Sequence, residues 1–166
     1  MKKVVAAILI LALSITLLGC GGSNGSGNSA NNNATTQQNN LSPAETVLLY
    51  ADLCTARDLQ GLTKVLYGFN DMSWNFNDDE NETFVEMVIV IQNPNAQMEP
   101  EEIAYYQGIF PDLVNTAIIC AEETSIYNVH ATGQPNNYTQ YLDYYLVTTQ
   151  SNPNWVIVGI APQAGY

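Results

Sequence analysis

The side chains in this sequence able to do chemistry are few. Cys54 and Cys120 lie in apolar stretches, where a free cysteine behaves as a small core hydrophobe. A disulfide between them is the alternative, and the chain-entropy model values that loop closure at about 4 kcal/mol. The expectation is two buried, unbonded thiols. His130 follows Val129 and stands beside Thr132-Gly133. Its ordinary pKa suits a general base, but such a base needs an orienting partner and the spacing supplies none, so it reads as a solvated surface histidine. Zinc wants three or four protein ligands, more than two cysteines and a lone histidine provide. Asn75, Asn77, Asp79 and Glu86 fit a calcium-loop spacing, yet Glu80 stands where that loop needs glycine. Asp78, Asp79, Glu80 and Glu82 therefore read as a solvated acidic loop. No metal, no cofactor and no catalytic residue is expected, and an enzyme is the less favoured class.

Tyrosine is the more promising residue. The chain has 10 tyrosines. Strand alternation puts Tyr141 and Tyr145 on one sheet face and Tyr144 on the other. An exposed tyrosine face can bind a peptide, glycan or small molecule, because the ring is apolar and its tip polar. Tyrosine also suits a half-buried pleat with no ligand at all. Tyr141 and Tyr145 are the candidate ligand-binding residues. Gly21-Gly22-Ser23-Asn24-Gly25 matches the nucleophile-elbow pattern, but no strand precedes it and no helix follows, so it is set aside.

The elements that must hold these residues begin at Ser42-Pro43-Ala44-Glu45, a capping box with proline at the first helical position. Ala44, Val47, Leu48, Ala51 and Cys54 then recur on one helical stripe. Asp58 caps a second short helix through Leu59, Leu62, Val65 and Leu66 that stops at Gly68. Asn70 to Glu82 reads mostly as loop. Phe84 to Ile91 reads as a buried strand ended by Asn93-Pro94-Asn95. Pro100 opens a short helix to Gln107. Ala117 to Cys120 and Thr124 to Val129 form one long strand, or two joined at a bulge. Tyr138 to Thr149 and Trp155 to Ile160 form a hairpin. Helices followed by a mostly antiparallel sheet predict an α+β fold with the helices packed on one sheet face.

The N-terminus carries an address. Lys2 and Lys3 precede Val4 to Leu18, apolar except for Ser14 and Thr16. That run of about 15 residues suits a secretory h-region and falls short of the roughly 20 needed to span a bilayer. It ends Leu17-Leu18-Gly19-Cys20, which resembles the lipobox of bacterial lipoproteins. The resemblance implies a signal peptide over residues 1–19, cleavage before Cys20, and diacylglycerol with palmitate-like chains on the Cys20 thiol. The protein would then sit at the cell membrane, lipid-anchored on its extracytoplasmic face. Two or more acyl chains exceed the limit of marginal, reversible anchoring. Residues 20–40 comprise Cys20 and a Gly/Ser/Asn-rich stretch too polar to fold. This disordered tether would span about 25 Å root-mean-square.

With 166 residues in all, what remains is a single globular domain over residues 41–166, too short for a multidomain enzyme. After cleavage only Arg57 and Lys64 stand against 16 acids, a formal charge of −14. Nucleic acid is excluded as a partner, since binding it needs clustered Lys and Arg. Val47-x-x-Tyr50-x-x-Leu53, Asp58-x-x-x-Leu62-x-x-x-Leu66 and the closing Asn154-Trp155-Val156-Ile157-Val158-Gly159 resemble the nuclear transport factor 2-like superfamily. Within it, they are most similar to small bacterial lipoproteins of unknown function. The resemblance implies a conical roll, a curved sheet wrapping the first helix around a pocket. It carries over no catalytic residue. The function read from all this is a membrane-anchored lipoprotein with a small ligand-binding or interaction domain. The alternatives are a pocket enzyme of the isomerase or dehydratase kind, or a purely structural envelope protein.

Overall fold

Ser42 does at the start of the domain what its sequence context demands. Its Oγ accepts the Glu45 N–H at 3.2 Å while its own N–H donates to the Glu45 carboxylate at 2.7 Å. Helix α1 runs Pro43–Ala56 behind that box and ends at Arg57, which takes a left-handed φ of 54°. Asp58 then caps α2 (Leu59–Val65), its carboxylate accepting the Gly61 N–H at 2.9 Å. The computed structural model describes residues 41–69, 76 and 78–163. Cys20, residues 1–19, the tether to Asn40, and Asn75 and Asn77 of the calcium spacing lie outside them. Among the described residues no helix is long and apolar enough to cross a membrane.

Four strands follow: β1 (Glu82–Ala96), β2 (Leu113–Val129), β3 (Pro135–Thr149) and β4 (Val156–Pro162), with α3 (Pro100–Ile109) between the first two. They form one open, curved antiparallel sheet in the order β1-β2-β3-β4. The fold is α+β. Alternation along β2 sends Ile119, Ala121, Glu123 and Tyr127 to the inner face, all under 8% exposed. There they share a core with Val47, Tyr50, Ala51 and Cys54 of α1, Leu62 and Val65 of α2, and Tyr144 and Leu146 of β3. The Tyr50 and Tyr144 rings meet edge to face at 6.0 Å.

Several expectations need correcting. Leu48 is 42% exposed, and the helix buries Thr46, Tyr50 and Leu53 instead. The strand at Phe84 is not buried throughout. It is an edge strand, paired on one side only, with Val85 and Val90 each 51% exposed. It also starts at Glu82 and passes through Asn93-Pro94-Asn95 to Ala96. Bulges between Ile91 and Ala96 absorb the residues that would otherwise end it, and a proline is tolerated at an edge. β2, expected as one long strand or two, is one continuous strand whose pairing with β3 runs unbroken through Glu122 and Glu123. α3 continues two residues past Gln107, to Ile109.

Candidate functional site

An open cleft of about 930 Å³ lies on the inner sheet face, where Tyr50 of α1 meets the Glu82 end of β1, the later half of β2 and the start of β3. Alternation builds its walls. Glu123 pairs in register with Gln140, and Ser125 with Tyr138, so side chains two residues apart on both strands look into the same space. A row of rings runs along it. Phe76 stacks on Phe84 at 5.3 Å, Phe84 meets Tyr127 at 5.7 Å, and Tyr127 meets Tyr138 at 5.4 Å. Each of these rings lines the cleft.

Glu123 is the chemically distinctive group. It is 5% exposed, and its carboxylate accepts the Tyr144 hydroxyl at 2.5 Å and the Gln140 amide at 3.0 Å. Burial drives the Tyr144 hydroxyl pKa far up, and the Glu123 charge pushes the same way. The Tyr50 hydroxyl, also raised chiefly by burial, bonds the Cys54 sulfur. Burial pushes the Cys54 thiol up to about 12, against the lowering effect of that bond, so it stays a protonated core group. At the rim, Glu82 accepts from the Tyr138 hydroxyl at 3.1 Å and the Asn136 amide at 2.9 Å. That bond to a carboxylate is the first cause of the raised Tyr138 pKa.

The residues singled out in the sequence lie elsewhere. Tyr141, 36% exposed, and Tyr145 face outward, on the side of the sheet opposite Tyr144. Tyr145 packs against Tyr106 of α3 at 6.2 Å, and with Glu101, Glu102, Tyr105 and Tyr106 it lines a shallower hollow of about 390 Å³. Burial, then the charge of Glu102, raises the Tyr145 hydroxyl to about 12. The cleft's tyrosines are therefore Tyr50, Tyr127 and Tyr138. Both described cysteines are free. Cys54 is fully buried, but Cys120 is only half-buried, because its position in β2 alternates to the outer face. There burial and the neighbouring Asp143 raise its thiol to about 11.

His130 is exposed yet pinned. Its Nδ1 lies 2.9 Å from the Glu80 carbonyl, which can only accept, so that nitrogen carries the hydrogen. Its Nε2 meets the Thr83 hydroxyl at 2.7 Å. The ring closes the loop before β1 and does not line the cleft. The acidic loop is likewise tied to its neighbours. Asp78 forms a two-point pair with Arg57 and accepts the Phe84 N–H at 2.7 Å, while Asp79 takes the Asn81 and Glu82 N–H groups. Among the described residues no three Asp, Glu, His or Cys come together as a metal site.

No protein-family model, curated protein or solved structure matches the chain. The cleft's chemistry thus stands on its own geometry. Its central residue had a signal in the sequence: Ile119-x-Ala121-x-Glu123-x-Ser125-x-Tyr127 places a lone carboxylate on an otherwise inward face. Allowing a break between Cys120 and Thr124 hides that alternation.

Proposed function

We propose that the protein is a lipid-anchored extracytoplasmic lipoprotein whose domain binds a small ligand in the inner-face cleft. The observation that carries the binding half is the cleft itself. It offers about 930 Å³, the size of ordinary small-molecule sites, with apolar rings along it and a few convergent polar groups. An open cleft of that kind favours a binding module over a purely structural envelope protein. The anchoring half rests on Lys2-Lys3, the apolar run and Leu17-Leu18-Gly19-Cys20. The conical roll and the kinship with nuclear transport factor 2-like lipoproteins belong to the same proposal. They are supported by the helix order, by the sheet's curvature and by the packing of Tyr50 against Tyr144.

Mass spectrometry of protein purified from membranes tests the address: an N-terminal lipopeptide beginning at Cys20 is expected, and an unmodified Cys20 in a membrane-free fraction overturns it. A ligand screen read by cross-peak shifts at Tyr127 and Gln140 tests the cleft. Shifts confined to the outer face would move the site to Tyr141 and Tyr145.

One observation favours the enzyme reading as a second choice. A pocket isomerase needs a buried carboxylate facing tyrosine donors, and Glu123 lies beside Tyr144 and Tyr50. Against it, Tyr144 and Gln140 already donate to that carboxylate, which leaves its lone pairs engaged within the protein. Deuterium uptake from solvent at a carbon beside a ketone, lost in Glu123→Gln, would bring the enzyme reading forward.

A further inference from the structure

The geometry points to a small organic cation, a protonated amine or quaternary ammonium, as the cleft's ligand, its charge held between the Glu123 carboxylate and the row of aromatic rings. This rests on the reading of the cleft as a ligand site. Three independent features of the cleft carry it.

The first is a buried carboxylate that meets no cation among its described hydrogen-bond partners. Glu123 is 5% exposed, and its hydrogen-bond partners are neutral: Tyr144, Gln140 and, at 3.5 Å, Ser125. A carboxylate withdrawn from water this far is costly without an opposite charge, and neutral donors offset only part of the cost. The second is the sign of the surroundings. Asp79, Glu82 and Glu123 all line the cleft, and no Lys, Arg or His is among its described lining residues. A cleft lined by one sign of charge concentrates the opposite ion and turns away its own kind. An anionic or phosphorylated ligand is excluded on that ground.

The third is what the walls are made of. Phe84, Tyr127 and Tyr138 bring π-systems next to the carboxylates, and ring faces attract cations most strongly where water is thin. One of these rings already meets a cation: the Arg57 guanidinium lies 5.9 Å from the Phe84 centroid, and 4.9 Å from that of the neighbouring Phe76. A metal ion is the poorer fit, since it wants several charged ligands converging on one point and no three Asp, Glu, His or Cys side chains do so among the described residues. Ring faces with separated carboxylates suit a cation whose charge is spread over carbon and nitrogen.

Calorimetry on the full-length protein in a neutral detergent provides the test, with benzyltrimethylammonium as probe, and benzyl alcohol and benzenesulfonate as neutral and anionic counterparts. The cation should bind about tenfold more tightly than the alcohol, the sulfonate should not bind, and raising the salt should weaken the cation alone. Glu123→Gln should weaken the cation about tenfold relative to the alcohol. Because that variant disturbs the bond to Tyr144, Glu82→Gln at the rim is the second probe. It keeps the floor of the cleft intact and should also weaken the cation selectively. Equal binding of cation and alcohol, or a cation affinity unmoved in both folded variants, overturns the charge assignment while leaving the cleft a ligand site. Calcium binding in place of the organic cation overturns it too. Failure of all three probes removes the cleft reading along with it.

Discussion

Arg57 shows how one residue can tie several local forces together. Its left-handed backbone is a conformation that costs a non-glycine residue on the order of 1 kcal/mol or more. In return the turn aims the guanidinium at Asp78 (2.7 and 3.0 Å) and at the Phe84 carbonyl (2.8 Å). The Arg57 hydrogen bonds are the main reason that the Asp78 carboxyl sits below its ordinary pKa. A depressed folded-state pKa stabilises the fold above the unfolded value, near roughly 4, and that stabilisation is lost as pH falls through the folded value. Asp78→Asn should therefore be less stable than the parent at pH 7 and should lose less on acidification. Urea midpoints measured from pH 7 to pH 3 check this, and parallel curves for the two proteins would refute the pairing. Arg57 stands beside the acidic loop in the fold, but the sequence hid the pair because 21 residues separate its members. Glu123 had an alternation pointing to it but was masked for a different reason. A glutamate within a strand ordinarily faces water, and only the pairing of β2 with β3, which brings Gln140 and Tyr144 to it, makes an inward carboxylate tolerable.

Helix α3 sits on the fold lightly. None of its residues is buried, and its contact with the sheet centres on Tyr106, whose ring lies against Tyr145 and whose hydroxyl comes down over Gly159. A Cβ on Gly159 would stand 2.8 Å from that hydroxyl, so the glycine is there to admit the tyrosine. Tyr106→Ala, or Gly159→Val from the other side, should release α3 while leaving the sheet folded. Amide exchange across residues 100–109 should then rise by about tenfold or more, with global stability falling by roughly 1 kcal/mol. Loss of protection throughout the sheet would show instead that α3 is integral to the core. Elements with local causes were the legible ones. Ser42, Pro43 and Glu45, then Asp58, announce two helices through capping chemistry that needs nothing distant. β1 was legible as a strand but not as an edge. Val85, Val88 and Val90 have the same β-branched character in a central strand as at a margin, and only the sheet order tells them apart. Its continuation past Pro94 depends on bulges opposite Cys120 and Ile118, a tertiary event with no local signature.

An open sheet has two edges, and this molecule treats them unequally. The β4 edge is partly covered, since Leu66 bridges Ile157 in parallel and the Tyr67 N–H donates to the Ile157 carbonyl at 2.9 Å. The β1 edge is plugged near its start, where Arg57 and Asp78 bond the backbone of Phe84 and Thr55 accepts the Met87 N–H. Beyond Met87 it carries Val88 and Val90, 40% and 51% exposed. An exposed apolar edge is a template for pairing between molecules. What opposes that pairing at neutral pH is charge: a formal −12 over the chain keeps copies apart. The sequence pI of about 4.1 marks where that repulsion vanishes. Near the same pH the carboxylates of Glu45, Asp78, Asp79 and Asp112, all held below their ordinary values by hydrogen bonds, begin to lose their stabilising role. The protein should therefore self-associate through β1 in a narrow band around pH 4, more readily at high salt, which screens whatever repulsion is left. Val88→Lys places a positive charge on the edge and raises the pI slightly, yet it should suppress the association, because a charged edge strand pairs poorly. Light scattering of the two proteins from pH 7 to pH 3 separates the causes. If Val88→Lys merely shifts the scattering peak upward with the pI without shrinking it, bulk charge alone governs association and the β1 edge has no part in it.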